Sequence, residues 1–595
     1  MHRRTRAPFF PLPLAAALAL AAAPCRAQEP AADAGCPGGR ISTIFVDNHA
    51  VFDPTDTRLD PRFSWAYHFA NRLHVPTREA VIRREILFTE GSCYSPDVLL
   101  DSERLLRATT FISNADIYGI RQPDGTYHVI VDTDDEWSTR IEPQVNSQGA
   151  GLELREANLA GTGQQVNAYY GHQLGEQVYG ASYGTPQLLG TQLDAELSAG
   201  RTPNGYALTE ELSYPFRGEN GRWALRQRFE HEDRYFEYMV QDRGPEEASG
   251  RMVRLLFPER RRSADVGGVF RLGRRGNLTL FGVALAGEWI RYPGISRFAS
   301  ARDSAHGPPL LTPEQAGFDS VANVRAVFLA GQRSVYFVRR TALDAVRGTE
   351  DVRLGVEAEV GIGRSLERLS TDNDLALDLG LFLAGELPGG MLSGGRVTVE
   401  GKRDYGAPVG NWEWRNVFAQ LDAWTYWRRS QESRHTVVAS LAAAGGWRTT
   451  VPFQLTLGSL AGLRGYPRDA VTGARRAVLS LEDRYYLGWP YPQLFDLGST
   501  AFIDVGRSWA GGDIFANGAP YRASVGVGLR AAFPPGSRRT YRLDVAAPLA
   551  GRVGLRSVVV SVGIGQAIGR DVRDDPQIRR SSRRSLSASL FDYPS

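Results

Sequence analysis

The chain has 595 residues, 42% of them hydrophobic, and a formal net charge of only +3 at pH 7. Its arginines are scattered and balanced by acidic residues, a distribution that excludes the basic footprint of a nucleic-acid-binding protein. After the first 27 positions no run of about 18 apolar residues occurs, so the sequence predicts no membrane-spanning helix.

Residues 1–27 have the three parts of a secretory signal peptide. Three arginines form a basic start, an apolar stretch follows as far as Pro24, and cleavage is expected after Ala27. Lipoprotein anchoring at Cys25 is the alternative. Residues 28–40 are rich in Ala, Gly and Pro, and we predict a disordered linker there.

The predicted export to an oxidising compartment would allow the two cysteines that follow the signal peptide to form a disulfide. Cys36 and Cys93 both lie in the N-terminal region, where a disulfide is one prediction and two unpaired thiols the alternative. The sequence has no CxxC motif and its nine histidines are dispersed, so we predict no metal site.

Residues 41–136 are predicted to form one small α+β domain. Ser95 is expected as the N-cap of its third helix, with Pro96 at the first helical position. In its first helix Trp65, Phe69 and Leu73 recur four residues apart, the spacing of one helical face. The predicted elements are, in chain order, a strand from Ile41, helices over 63–73 and 77–86, a helix from Ser95, and hairpin strands over 115–121 and 127–132.

Residues 137–568 contain roughly twenty strand-like segments separated by turns rich in Gly, Pro and Asn. Over Ala523–Ala531 apolar residues alternate strictly with polar or small ones. A membrane barrel requires this pattern, because lipid satisfies no backbone hydrogen bond and an open sheet edge cannot lie in it. Other clear segments cover 163–172, 277–292 and 375–387. An interfacial aromatic girdle is predicted at Trp412, Trp414, Trp424, Tyr426 and Trp427.

The first and last strands of this region are the weakest. The first, 138–145, carries Pro143, which lacks a backbone donor and belongs on an edge. The last, 557–568, carries Gly563 and Gly565, which weaken a strand. A barrel closed by pairing these two strands would have its weakest seam there, and ordinary barrel irregularity is the alternative interpretation.

A loop with the sequence Leu-Arg-Gly-Tyr-Pro precedes two of the strands. Parity places Glu482 and Asp504 on the polar face of those strands, which would face the lumen. If the loop folds inward, Arg464 can reach both carboxylates, and a guanidinium binds carboxylate oxygens in a bidentate fork. The alternative is an external hairpin whose Arg464 is solvated.

The RGY loop (Arg464, Gly465, Tyr466), the FIDVG strand at 502–506, and the SVGVGLR and LDVAAPL strands resemble the C-terminal barrel of the BamA/TamA and two-partner-secretion transporter superfamily. In that superfamily the loop enters the barrel and its arginine pairs with acidic residues of the inner wall. The resemblance implies that Asp504 and, with less support from the motif, Glu482 are these partners. It also implies an all-β transmembrane barrel of about 16 antiparallel strands and a POTRA-like domain at 41–136, similar over 84–112.

The resemblance further implies a location in the outer membrane of a Gram-negative cell, with the N-terminal domain in the periplasm. The implied function is insertion or translocation of polypeptides, with partners that include the lipid bilayer, extended client polypeptides, and periplasmic chaperones or accessory lipoproteins. A dedicated transporter for one exoprotein and a passive porin or structural barrel are the alternatives. A single POTRA-like domain departs from a superfamily whose members usually carry two or more.

The sequence provides no basis for catalysis. Gly180–Gly184 matches GxSxG, but Ser182 lies within a strand-like segment, whereas a nucleophile elbow needs a strand, a sharp turn and a helix. We therefore predict no catalytic residue, no enzyme activity and no cofactor. Residues 569–595 form a basic C-terminal tail whose path the sequence leaves open.

Overall fold

The computed structural model describes residues 35–582 and 584, except 53–59, 147–148, 220, 242–251, 301–307, 406–412, 431, 488–493, 514, 551–556 and 571–574. The predicted signal peptide at 1–27 and most of the predicted linker at 28–40 therefore lie outside the described residues. None of the helices it describes is both long and apolar enough to cross a membrane.

The N-terminal domain is a three-stranded sheet covered by helices. The sheet order is β1-β3-β2, with β1 parallel and β2 antiparallel to β3. Its elements are β1 (Ile41–His49), α1 (Ser64–Leu73), α2 (Glu79–Glu85), α3 (Pro96–Ala108), β2 (Ile112–Arg121) and β3 (Tyr127–Asp135). The sheet and helices enclose one apolar core that includes the buried side chains of Ile82, Leu106, Ile112 and Val129.

Cys36 and Cys93 form a disulfide that ties the segment before β1 to the loop before α3. Helix α3 begins at Pro96, with Ser95 at the N-cap position, but the Ser95 side chain makes no capping hydrogen bond. The predicted capping interaction is therefore absent there, although the predicted start of the helix is correct.

Helix α1 turns its predicted apolar stripe outward. It buries Tyr67 and Ala70 instead, which pack with Phe52 and, from the barrel, with Phe533. The four-residue spacing thus predicted the helix correctly but not its buried face, because the opposite face meets the aromatic end of the barrel. The exposed side chains are Trp65, Phe69 and Leu73.

One large antiparallel sheet follows, as predicted. Its strands are β4 (Thr139–Asn146), β5 (Gly149–Glu156), β6 (Gln165–Gln173), β7 (Glu176–Thr185), β8 (Asp194–Thr202), β9 (Gly205–Tyr214), β10 (Trp223–Gln241), β11 (Met252–Arg274), β12 (Asn277–Arg291), β13 (Arg297–Phe298), β14 (Val321–Thr341), β15 (Thr349–Ser365), β16 (Asp374–Leu387), β17 (Met391–Asp404), β18 (Trp414–Trp427), β19 (His435–Trp447), β22 (Arg475–Leu487), β23 (Asp496–Trp509), β24 (Ala519–Ala532), β25 (Tyr541–Pro548) and β26 (Val559–Ile564). Between β19 and β22 lie two short strands, β20 (Leu455–Leu457) and β21 (Val471–Gly473), which pair only with each other.

The strand order of the large sheet is that of a closed barrel, with β26 next to β4. Apart from the two-residue β13, twenty strands of six residues or more take part. About sixteen strands, the number implied by the resemblance, is therefore too low for the described chain. Three short hairpins, β4–β5, β6–β7 and β8–β9, supply six of the twenty.

The two faces of the sheet differ in polarity. In β24 Val527 and Leu529 are exposed on the outside, at 61% and 58%, whereas Arg530 is fully buried on the inside. In β22 Leu481 is exposed and Glu482 is fully buried in the same way. An apolar outer face around a polar interior suits lipid outside and polar contacts inside.

The predicted aromatic girdle is wrong for two of its members. Trp424 and Tyr426 lie on the inner face of β18 and are buried, and the Tyr426 hydroxyl donates to Asp344 Oδ1 at 2.6 Å. Trp427, next along the strand, is exposed on the outer face. The alternation of side chains along a strand explains this difference, since neighbouring residues point to opposite faces. Trp412 lies outside the described residues.

The N-terminal domain is docked against one end of the barrel, which we call the proximal end. Arg107 of α3 is buried and forks onto Asp351 of β15, with both Nε and Nη2 at 2.8 Å from a carboxylate oxygen. The Arg104 guanidinium stacks 3.7 Å from the ring centroid of Phe337. Further contacts reach barrel turns through Thr77–Asn158, Arg78–Gly161, Glu85–Gln187, Glu85–Arg217, Asp101–Arg275 and Glu136–Ser537.

Breaking the Arg107–Asp351 ion pair should loosen this docking. Arg107→Ala leaves Asp351 buried without its guanidinium, a loss of about 3–5 kcal/mol for a buried pair. Faster hydrogen exchange of the α3 amides would report the opening. Glu79→Ala is the control, since its ion pair with Arg83 is exposed and contributes about 0.3–0.5 kcal/mol. Equal exchange in both variants would contradict the prediction.

Candidate functional site

The connection between β19 and β22, residues 448–474, folds into the barrel from the end opposite the N-terminal domain, the distal end. We call it the lumenal finger. Leu455, Leu457 and Leu463 are completely buried and pack with Tyr466 and the wall. Gly462 has a φ of 91°, the left-handed region that favours glycine, and turns the chain back at the tip.

Arg464, at the tip of the finger, is held by two carboxylates of the wall. Its Nε and Nη2 lie 3.0 and 2.8 Å from the two oxygens of Asp504, and its Nη1 lies 2.6 Å from Glu482 Oε2. The backbone N–H of Arg464 also donates to Asp504 Oδ2 at 3.1 Å. The guanidinium carbon lies 3.3 Å from the ring centroid of Phe502, so a cation–π contact covers its remaining face.

Glu482 is the centre of a larger buried network that includes three arginines. Besides Arg464 it accepts from Arg484 Nε at 2.9 Å, and Arg530 Nη2 lies 3.7 Å away. Arg530 continues to Asp544 at 2.6 Å, and Arg484 continues to Asp344 at 2.9 Å. Such a network is stable only when every buried charge is paired, so each member depends on the others.

Gly465 and Tyr466 fix the position of the finger tip against the neighbouring strands. A Cβ at Gly465 would lie 2.4 Å from Ser524 Cβ and 2.8 Å from the backbone of Ala547, so only glycine fits there. The Tyr466 hydroxyl donates to Ala523 O at 3.3 Å. The three residues of the RGY motif therefore have separate tasks: charge pairing, close approach, and packing with one hydrogen bond.

The finger is anchored near the distal end by Gln454, whose amide bonds the Met239 backbone N–H at 2.7 Å and carbonyl at 3.1 Å. The same amide donates to Asp513, in the loop between β23 and β24, at 3.1 Å. Burial raises the pKa of the Asp513 carboxyl to about 6, although hydrogen bonds from Phe515 N and Gln454 favour its ionised form.

This raised pKa predicts a pH dependence of the distal anchor. An unfolded Asp has a pKa near 3.9, so folding favours the protonated form, and the stability of the loop should fall as pH rises from about 4 to about 6. Asp513→Asn should remove this slope. Hydrogen exchange of the Gly518 amide, which donates to Thr472 O, measures it, with exposed Asp319→Asn as the control. A slope that persists in Asp513→Asn would assign it to another group.

The structure brings five predicted residues together at the finger tip: Arg464, Gly465, Tyr466, Glu482 and Asp504. Cys36 and Cys93 lie elsewhere, in the N-terminal domain. Sequence reasoning did not assign a role to the other buried charges of the network. Parity was the available signal, since it places Arg484 on the face of Glu482 and Arg530 on the polar face of β24. The residues without an assigned role are Asp344, Arg484, Arg530 and Asp544.

The arrangement is suited to holding a loop in place. Ser182 lies in the middle of β7, paired with Asn167 of β6, where a nucleophile elbow cannot form. Among the described residues no group of three or more His, Cys, Asp or Glu side chains is placed to hold a metal ion. The site connects the finger by salt bridges to two strands of the wall, β22 and β23.

No protein-family profile and no curated protein sequence matches the chain. Among solved structures it is similar to BamA from Haemophilus ducreyi lacking POTRA domains 1–3, with 14% identity, a TM-score of 0.37, and coverage of 88% of this chain and 83% of that one. It is also similar to CdiB from Acinetobacter baumannii, with 12% identity, a TM-score of 0.34, and coverage of 89% and 74%. The outer membrane protein opdK from Pseudomonas aeruginosa follows with 12% identity, a TM-score of 0.30, and coverage of 72% and 95%.

Proposed function

We propose that this chain is an outer-membrane barrel of the BamA/TamA and two-partner-secretion type that inserts polypeptides into the outer membrane or translocates them across it. Exposed apolar side chains on the outer face of the sheet support its embedding in lipid. The observation that carries the proposal is the Arg464 clamp on Asp504 and Glu482. It fixes an RGY loop inside the lumen, the position that the superfamily resemblance implies for this motif.

The N-terminal domain is proposed to capture client strands, as a POTRA domain would. Its sheet order leaves β1 and β2 as outer strands, and an extended client could add to such an edge by main-chain hydrogen bonds. Apolar side chains stand exposed on both strands, namely Phe45, Tyr118 and Ile120. Because the domain is docked at the proximal end, a captured strand would already lie at the mouth of the barrel.

The experiment is depletion of this protein from its host, followed by quantification of the proteins in the outer membrane and in the medium. Loss of several other barrels from the membrane would support insertion, and loss of one large protein from the medium would support dedicated secretion. An unchanged set of proteins, together with reduced uptake of small solutes, would overturn both in favour of a porin. Rescue by wild type and not by Arg464→Ala would link the phenotype to the finger.

Lateral opening between β4 and β26 is proposed as part of this function. β26 has only six residues, so its pairing with β4 cannot exceed six positions, against nineteen between β10 and β11. A disulfide engineered across β4 and β26 should lower insertion or translocation activity at least about tenfold, and reduction of the disulfide should restore it. A matched disulfide at Val397 and Leu421, which are partners in β17 and β18, should leave activity unchanged. Full activity of the oxidised β4–β26 variant would contradict opening.

A further inference from the structure

The C-terminal tail re-enters the lumen after the last strand. Arg570 is the first tail residue to bind the wall, and it pairs with Glu350 at 3.0 Å near the proximal end. Residues 575–582 and 584 then lie inside the barrel and include the short helix α4 (Pro576–Arg579). Ile578 of this helix is buried in an apolar cluster with Phe418 of the wall and Phe453 of the finger.

The end of the described tail lies on carboxylates from three consecutive strands. Arg584 Nε is 3.1 Å from Asp378 of β16, and its Nη2 is 2.5 Å from Glu359 of β15. The Ser582 hydroxyl donates to Glu400 of β17 at 2.6 Å. We call Glu359, Asp378 and Glu400 the tail-binding wall.

The tail also contacts the lumenal finger. The Gln577 side chain accepts from the Thr456 backbone at 3.0 Å and donates to the Thr456 hydroxyl at 2.8 Å. The Ser581 hydroxyl donates to Pro452 O at 2.7 Å. Displacement of the whole segment 575–584 therefore also removes hydrogen bonds from the finger.

The tail contacts differ from the Arg464 clamp in their hydration. Arg584 keeps 19% of its side chain exposed, and Glu359 and Asp378 keep 15% and 13%, whereas Arg464 and its partners keep 1% or less. Partly hydrated ion pairs cost little to break, because water replaces the lost partner, while a dry pair leaves an uncompensated charge. The Arg584 ion pairs should therefore cost less free energy to break than the Arg464 clamp.

We infer that the tail-binding wall is a binding site for a polypeptide segment that carries arginine and hydroxyl side chains, and that the tail is its resident occupant. This inference rests on the proposed function, because it takes the client to be a polypeptide that passes the lumen. Carboxylates on neighbouring strands recognise guanidinium groups by bidentate, charge-assisted hydrogen bonds. A client segment with the same chemistry displaces the tail and, with it, part of the support of the finger.

The first test is binding in trans to a chain that ends at residue 574, purified in detergent. A labelled peptide of residues 575–584 should bind this truncated chain and not the full chain, in which the site is occupied. An alanine in the peptide in place of Arg584 should weaken binding at least about tenfold, because it removes both charge-assisted contacts of this residue. The control is an alanine in place of Arg579, which is exposed in the tail and should leave binding unchanged. Equal binding to both chains, or equal loss in both peptides, would overturn the inference.

The second test uses the full chain, so it does not depend on the folding of the truncated one. A short bismaleimide should cross-link Ser582→Cys with Glu400→Cys, because the Ser582 hydroxyl contacts the Glu400 carboxylate and the shorter cysteine at position 400 leaves a gap that the reagent can span. The same peptide at millimolar concentration, the effective concentration of a tethered segment, should lower the yield of this cross-link. A yield that the peptide does not change would refute displacement. Neither test measures client assembly, so both outcomes are separable from those of the depletion experiment.

Discussion

Arg464→Ala is expected to leave the barrel inserted and to lower insertion or translocation activity at least about tenfold. The substitution removes the three charge-assisted side-chain contacts of the finger tip, while Glu482 keeps its pairing with Arg484. Asp504 loses its guanidinium partner but keeps the hydrogen bonds from the backbone N–H at position 464 and from Ser524 Oγ. We therefore expect the wall to stay assembled while the finger loses its main attachment. Migration of unheated and heated samples on a gel reports whether the barrel is intact, and client assembly in proteoliposomes reports activity.

Two further variants distinguish a geometric clamp from a simple positive charge. Arg464→Lys keeps the charge but cannot fork onto Asp504, so we expect it to restore little activity. Arg468→Ala is the matched control, since Arg468 lies in the same finger with its side chain exposed. Wild-type activity of Arg464→Ala, or full rescue by Arg464→Lys, would show that the clamp geometry is not required.

The clamp could be anticipated from the sequence because its parts follow local rules. Alternation along a strand fixes which face a residue occupies once one neighbour is assigned, so the sequence alone places Glu482 and Asp504 on the polar face. The motif resemblance supplied the remaining step, that the loop carrying Arg464 turns inward. Alternation did not predict that Trp424 and Tyr426 face inward, because large aromatic residues suit an interfacial girdle as well as a packed lumen.

The contacts that sequence reasoning did not reach join residues far apart in the chain. Arg107 meets Asp351, and Arg584 meets Asp378 and Glu359, across more than 200 positions in each case. No local periodicity of the sequence predicts such a pair, because the residues around each arginine are equally consistent with a solvated surface position. The number of strands could also be predicted only in part. The pattern of segments indicated roughly twenty strands, whereas the resemblance implies about sixteen. A resemblance to a family carries no information on hairpins that are particular to this chain.

Glu482→Ala is expected to prevent assembly of the barrel, a larger effect than loss of the finger. Glu482 is completely buried and compensates Arg464, Arg484 and Arg530, at 2.6, 2.9 and 3.7 Å. Its removal leaves Arg464, Arg484 and Arg530 with Asp344, Asp504 and Asp544. Asp544 is already shared with Arg542, so four guanidinium groups face three carboxylates, and the uncompensated charge costs about 3–5 kcal/mol. A folded domain is stable by only about 5–15 kcal/mol in total, so this one change removes a large fraction of the margin.

Further variants separate the loss of the Glu482 charge from the loss of its packing. Glu482→Gln keeps the shape of the side chain but loses its charge and replaces one of its two acceptor oxygens by an NH2 group that faces a guanidinium donor. It should therefore be nearly as damaging as Glu482→Ala. Glu482→Ala combined with Arg484→Ala removes one cation together with the anion and should regain part of the folded fraction. Glu413→Ala, whose ion pair with Arg448 is more than half exposed, should assemble like wild type. The measurement is the fraction of heat-modifiable, folded barrel in isolated membranes, and a fully folded Glu482→Gln variant would show that the three arginines are compensated by other means.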